Sequence, residues 1–439
     1  MDIKTLLFKD IVIFSELFLG ISIIYLVLHC TFLAIQKKYP LIHNSVLYLS
    51  VLSLTFAVYL TLNENLNVLG LAFLNNTFML DYSGFFSKLI IGSLSVFCLI
   101  MMQPYILNQK INNFEYFLLI LFSILGLFLL CSANDFLTAY LAIELQSLSF
   151  YVLSAFKKNS TFSVEAGIKY FILGAFASSM FLFGSSLLYG FTGTIYFSEL
   201  ESLFFNIIPG NSVVSNYFVW EENDEFYKHY LRGMVYFKGS GSVLIDDNLI
   251  KSFFRLIDFE LLLPLMSFLT FLESTGELSL TSLDYFNSGL VKFALIFIFI
   301  GLFFKLTAAP FHLWAVDVYE GSPSSSAFFF SVIPKLSIFV LLLRIYYNSF
   351  YCFIDSWRYF VVLVVILSIL IGSFGGLQQK KLKSLLVYST ISHMGYSLIA
   401  FSSGTLESTQ MLISYLIIYM FSGLCVWSIF LVIRLKSNY

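Results

Sequence analysis

The sequence predicts an all-α, polytopic membrane protein with about eleven transmembrane helices. Three observations carry that expectation. Hydrophobic residues fill 59% of the 439 positions and charged residues only 11%, with mean hydropathy +0.88, which is more apolar surface than a soluble core can bury. Apolar runs of the roughly 20 residues needed to cross the hydrocarbon core recur along the chain. The cations between those runs fall on alternate connections, as the positive-inside rule requires.

The expected crossings are 11–36, 44–62, 83–102, 114–133, 136–156, 163–191, 289–321, 324–346, 357–376, 384–402 and 410–433. The first follows directly on MDIKTLLFKD, with neither a cleavage-site pattern nor an Arg-rich leader, as expected of an organellar protein made inside its organelle. The seventh is long for one crossing and contains Pro310, which removes a helical hydrogen bond and clashes with the preceding turn, so a broken helix is expected.

Residues 194–288 carry thirteen acidic against five basic side chains. The longest apolar run there, Leu261 to Leu272, is 12 residues and holds Pro264, too short to span. An acidic, non-spanning insertion in water is expected. The chain then divides into an N-terminal three-helix segment (1–110), a first helix group (111–193), the insertion (194–288), the broken helix with its successor (289–346) and a final helix group (347–439).

Eleven crossings put Lys37, Lys38, Lys110, Lys157, Lys158, Lys380, Lys381, Lys383, Arg434 and Lys436 on one face. The short loops opposite hold Asp81, Asp135, Asp355 and Glu407, with Arg358 as their main base. A crossing inside the insertion would move Lys380 to Lys383 and Arg434 across, and the segregation would collapse. The N-terminus and insertion are thus expected outside and the C-terminus inside, on the matrix side in a mitochondrion.

The net charge of −2 gives no field for a nucleic-acid partner. Cys30, Cys98, Cys131, Cys352 and Cys425 lack the spacing of a metal site, an iron–sulfur site or a disulfide framework, and read as core residues.

A charge at mid-bilayer costs about 2.5–3.5 kcal/mol even on the mild insertion scale, so such charges are functional candidates. Glu144 shares a helical face with Tyr140, Ser147, Tyr151 and Ser154. Lys305 precedes Pro310 and His312, Lys335 follows Pro334, and Lys169 lies one turn after Glu165. At about 1.5 Å per residue, Glu144 lies roughly 18 Å deep, Lys305 about 24 Å, Lys335 about 17 Å and His393 about 14 Å, with Lys169 shallower at about 9 Å.

A row of ionisable groups at one depth is what lateral proton relay needs, because each changes charge and biases its neighbour. Taken singly, a membrane lysine can instead glue two helices, a lone histidine can be a satisfied core group, and a Ser/Tyr stripe can serve packing. Lys88, Lys292 and Arg344 lie near helix ends, where snorkelling suffices.

Three stretches carry a family likeness: YLAIELQSLSFYVLSAFKKNSTFSVEAGIKYFILGAF (140–176), GLFFKLTAAPFHLWAVDVYEGSP (301–323) and KLKSLLVYSTISHMGYSLIAF (381–401). They resemble the subunit 2 family of respiratory complex I, the proton-pumping NADH:ubiquinone oxidoreductase, over most of the chain outside the insertion. The resemblance implies antiporter-like inverted five-helix repeats, a broken seventh helix, and a non-redox, proton-translocating role in the membrane arm. It implies no cofactor bound by this chain, with NADH, FMN, iron–sulfur clusters and ubiquinone held elsewhere in the complex.

By motif, Glu144 matches the family's fifth-helix glutamate and Lys305 the lysine before the seventh-helix break. Lys169 and Lys335 match lysines of the sixth and eighth helices, and His312 and His393 match histidines of the same axis. The expected partners are other membrane-arm subunits and lipid, in the mitochondrial inner membrane.

Two departures stand out. The insertion has no counterpart in the family. Longer members also continue through three further helices, so the second repeat is incomplete and a separate polypeptide is expected to supply the rest. The rival readings are a cation/proton antiporter subunit, a purely structural membrane-arm subunit and the plastid form of the complex.

Overall fold

The computed structural model describes residues 13–35, 39–64, 72–109, 113–207 and 280–436. Residues 208–279, most of the expected insertion, lie outside the described residues. The chain up to Glu201 and from Lys292 onward forms one compact unit. Of the second, Ser202–Val291, the described residues are the ends of two helices.

Apolar runs become helices in the expected order: α1 (Phe14–Ile35), α2 (Tyr39–Leu62), α3 (Tyr82–Asn108), α4 (Glu115–Ser132), α5 (Phe136–Ser154) and α6 (Thr161–Thr192). Between α2 and α3 a short hairpin pairs β1 (Ala72–Phe73) with β2 (Phe78–Met79). Its turn puts Asn75 and Asn76 at positive φ, which asparagine tolerates. The Asp135 side chain starts α5 by accepting from the Thr138 amide at 2.9 Å, an N-cap bond. Gly193, with φ +74°, ends α6, where the left-handed cap favours glycine. The 11-residue α7 (Phe197–Ile207) follows, too short to span.

The seventh crossing is broken as Pro310 predicts, into α8 (Leu280–Leu306) and α9 (Leu313–Gly321). Its helix starts earlier than the expected 289. The eighth crossing differs from the continuous helix expected over 324–346. It consists of α10 (Ser324–Val332), α11 (Pro334–Leu343) and a π-helical turn over Arg344–Ser349. Pro334 has no N–H to continue the ladder, so the helix is interrupted beside it. The most apolar window of this crossing is 94% buried, against 28% for α1, so it is a central strut that other helices sheathe.

Three helices complete the bundle: α12 (Ile354–Leu377), α13 (Leu382–Ser403) and α14 (Leu406–Lys436). Among the described residues ten helical passes are long and apolar enough to cross a membrane. The 22-residue α13 is long enough too, but Ser384, Ser389, Thr390, Ser392 and His393 lower its hydropathy. The fold is the helical membrane bundle expected.

Candidate functional site

On α5 the spacing of Glu144, Ser147 and Tyr151 sets three polar groups on one face. Ser147 Oγ donates to Glu144 Oε2 at 3.3 Å, and Glu144 itself is half-buried. Tyr151 is buried, its ring edge-on to Tyr170 at 4.8 Å. Gly174 of α6 makes room for it, since a Cβ there would collide with the Tyr151 hydroxyl. That hydroxyl accepts from Lys305 Nζ at 3.3 Å, and the ammonium lies 5.6 Å from the ring centroid, within cation–π range.

The broken helix decides where the lysines go. When α8 stops at Leu306, its last carbonyls lose their helical partners, and unwound backbone at this depth needs others inside the protein. Lys335 supplies them. Its Nζ donates to Leu306 O at 3.0 Å, to Thr307 Oγ1 at 3.2 Å and to Lys305 O at 3.5 Å. Two ammonium groups, 7% and 1% exposed, thus share the C-terminal end of α8, where the helix dipole favours cations. Trp314 of α9 braces the break, donating to Phe304 O at 3.1 Å and stacking on Tyr170 at 4.5 Å.

From Lys335 the polar groups continue toward the last helices. Ser331, one turn earlier, accepts at its carbonyl from the Tyr419 hydroxyl at 2.9 Å. The Tyr419 ring lies 5.3 Å from that of His393, and His393 Nδ1 is 2.7 Å from the Tyr415 hydroxyl. His312 sits at the start of α9, 7% exposed, and its Nδ1 has no hydrogen-bond partner among the described residues.

The structure therefore joins Lys305, Lys335 and the Glu144 face of α5. Among the described residues no ion pair links Glu144 to Lys305; the lysine's bond goes to Tyr151, two turns along α5. Lys169 stands apart at 44% exposure, paired with Glu165 and Asp317 at 2.9 Å each. It lines an open cavity of about 520 Å³ with Lys157, Glu320 and Lys381.

Sequence reasoning missed Thr307, Tyr415 and Tyr419, although the last two stand one helical turn apart on α14. Its reading of Lys88 and Arg344 as snorkelling residues is corrected: they are 1% and 3% exposed. Arg344 donates to Asp81 Oδ2 at 2.7 Å and to Cys131 O at 3.0 Å, and Lys88 pairs with Glu16. The signal available was an acid on another element near the same end of the bundle, Glu16 in the first turn of α1 and Asp81 just before α3. Among the described residues no group of three or more His, Cys, Asp or Glu is placed to hold a metal.

Residues 133–220 and 251–438 match the family described as NADH:quinone oxidoreductase/Mrp antiporter, transmembrane. The chain belongs to this family. It is 34% identical over 426 residues to NADH-ubiquinone oxidoreductase chain 2 of Marchantia polymorpha, covering 96% of this chain and 71% of the plant protein. NADH-quinone oxidoreductase subunit N of Paramagnetospirillum magneticum is 33% identical over 364 residues, covering 83% of this chain and 60% of the bacterial one. A chain of respiratory complex I from Thermus thermophilus shares the fold, with TM-score 0.61 at 23% identity, 94% of this chain and 69% of that one being covered. Within the family the chain is thus an antiporter-like membrane subunit of the chain 2 type.

Proposed function

We propose that this chain translocates protons, without redox chemistry of its own, as a membrane-arm subunit of NADH:ubiquinone oxidoreductase. The observation that carries the proposal is the pair of buried lysines at the α8 break, with Tyr151 leading from Lys305 back to the Glu144 face. A buried ammonium is held in its charged form by its partners alone, so a change in charge nearby alters whether it keeps its proton. In the proposed sequence, an electrostatic change arriving from a neighbouring subunit alters how strongly the Glu144 face holds the Lys305 proton. A proton then passes from Lys305 along Lys335 and through the tyrosines toward His393. His312, at the start of α9, borders the break that this path crosses. Lys169, on the rim, exchanges protons with the aqueous face that its cavity opens to.

A scaffold needs none of this, because apolar side chains of similar volume hold helices at lower cost than buried charges do. NADH, FMN, iron–sulfur clusters and ubiquinone are proposed to reside in other subunits. The proposed setting is the mitochondrial inner membrane, with the N-terminus toward the intermembrane space and the C-terminus in the matrix. The proposed partners are other membrane-arm subunits and lipid, the latter against the outward face of α14, where Met411, Ile418 and Ile429 are exposed.

Protons moved per NADH oxidised by the reconstituted complex test the reading. Lys305→Met and Glu144→Gln should each lower that ratio while the complex still assembles; an unchanged ratio in both variants would refute it.

A further inference from the structure

Away from the lysine seam, four helices meet around a second set of buried ionisable groups. Glu16 lies in the first turn of α1, Glu64 just beyond α2, and Lys88 in the second turn of α3, with Ser132 closing α4. The four helices pack on one another. All these positions belong to the end of the bundle where α1 and α3 begin and α2 and α4 finish. Glu16, Glu64 and Lys88 are 3%, 5% and 1% exposed.

Hydrogens count decisively here. Lys88 Nζ is 2.5 Å from Glu16 Oε1, and Ser132 Oγ is 3.4 Å from the same oxygen. Ser15 Oγ lies 2.7 Å from Glu16 Oε2 and 3.1 Å from Glu64 Oε1. A serine hydroxyl has one hydrogen to donate, so it cannot serve two carboxylates at once. If Glu64 carries a proton, both contacts are made: Glu64 donates to Ser15, and Ser15 donates to Glu16. Charge agrees with the hydrogen count. Two carboxylates against one ammonium leave a buried net negative charge, which is costly, whereas one added proton makes the cluster neutral.

Glu64 Oε2 is the independent mark. It is buried with no hydrogen-bond partner among the described residues, a far smaller penalty for the carbonyl oxygen of a neutral acid than for half of a carboxylate.

We propose that Glu64, Ser15, Glu16 and Lys88 form a second proton-binding site, distinct from the Lys305–Lys335 seam. It holds one exchangeable proton between its two carboxyl groups. The proton sits on Glu64 Oε1, and its transfer to Glu16 requires only that the Ser15 hydroxyl pass its own hydrogen on and accept another, with no net change in bonds. Burial pushes the Glu64 carboxyl up to about 7, Glu16 adds to the rise, and Lys88 and Ser15 oppose it. The proton is therefore held below neutral pH and released as pH rises through it. Other groups facing the cluster are the Cys131 thiol of α4 and, beyond it, the Asp81–Arg344 pair, whose guanidinium bonds the Cys131 carbonyl.

Infrared difference spectra of the intact purified complex, taken between about pH 6 and about pH 8, test the site, because they bracket the range where a raised carboxyl titrates. The wild type should show a protonated-carboxyl band lost at the higher pH, and Glu64→Gln should abolish that band. An amide at this position donates to Ser15 as the neutral acid does, so the variant should assemble. Ser15→Ala gives an independent reading, in which the band should shift in frequency as the carboxyl loses its hydroxyl partner. Lys305→Met, which tests the relay, should leave the band intact, so the two readings fail separately. A Glu64→Gln spectrum identical to the wild type, or an unmoved band in Ser15→Ala, would overturn the proposal.

Discussion

Replacing Tyr151 by phenylalanine removes one oxygen and leaves the rest of the site in place. The ring keeps its edge-on contact with Tyr170 at 4.8 Å, and the ammonium keeps its position 5.6 Å from the ring centroid. What goes is the acceptor for Lys305 Nζ at 3.3 Å. Hydrogen bonds to charged groups contribute about 1.5–3 kcal/mol, and this long one belongs near about 1.5 kcal/mol. That is about a tenfold change in the balance between charged and neutral Lys305, or about one pH unit in any profile governed by it. The assay is dye-detected proton uptake by proteoliposomes holding the complex, followed across pH while NADH oxidation is monitored in parallel. Tyr151→Phe should move the pumping profile by about that much and lower protons per NADH, with assembly unaffected. A profile superimposable on the wild type would show that Tyr151 is packing alone.

Further outcomes follow from the same geometry. Gly174→Ala places a methyl group against the Tyr151 hydroxyl, so the complex should lose about 1–3 kcal/mol, as overpacked sites do, read as a lower unfolding temperature; unchanged stability would mean that α5 and α6 are less tightly apposed than they are here. Arg344→Met strands Asp81 and two backbone carbonyls, and breaking a buried pair this way costs about 3–5 kcal/mol; loss of assembled complex on native gels is expected, more severe than for Lys305→Met. Lys169→Ala removes exposed ion pairs that solvent screens; its pumping deficit should be small and shrink with added salt, and a loss as deep as that of Lys305→Met would place Lys169 in the seam after all.

How much of this was legible in the sequence depended on whether a feature is local. The helices could be read because each apolar run reports its own length, and the break at Pro310 because proline acts on its own turn. Depth could be estimated by counting residues, which put Lys305 and Lys335 in one layer. Azimuth could not, so nothing pointed to Tyr151 as the acceptor for Lys305, and nothing local marked the α8 carbonyls as the site where Lys335 binds. Lys88 and Arg344 were misread for the same reason. Their acids lie on other elements, Asp81 being 263 positions from Arg344, and an isolated cation near a helix end resembles a snorkelling one. The interruption at Pro334 was visible as a residue, but an apolar run of full spanning length masked it.

Ordered water in the assembled complex, resolved by electron cryomicroscopy at side-chain detail, bears most directly on the proposed relay. Water bridging the Glu144 face to Lys305, and Lys335 onward to His393, is the predicted result. A dry, close-packed interior around those lysines, or lysines turned toward acyl chains, would contradict it.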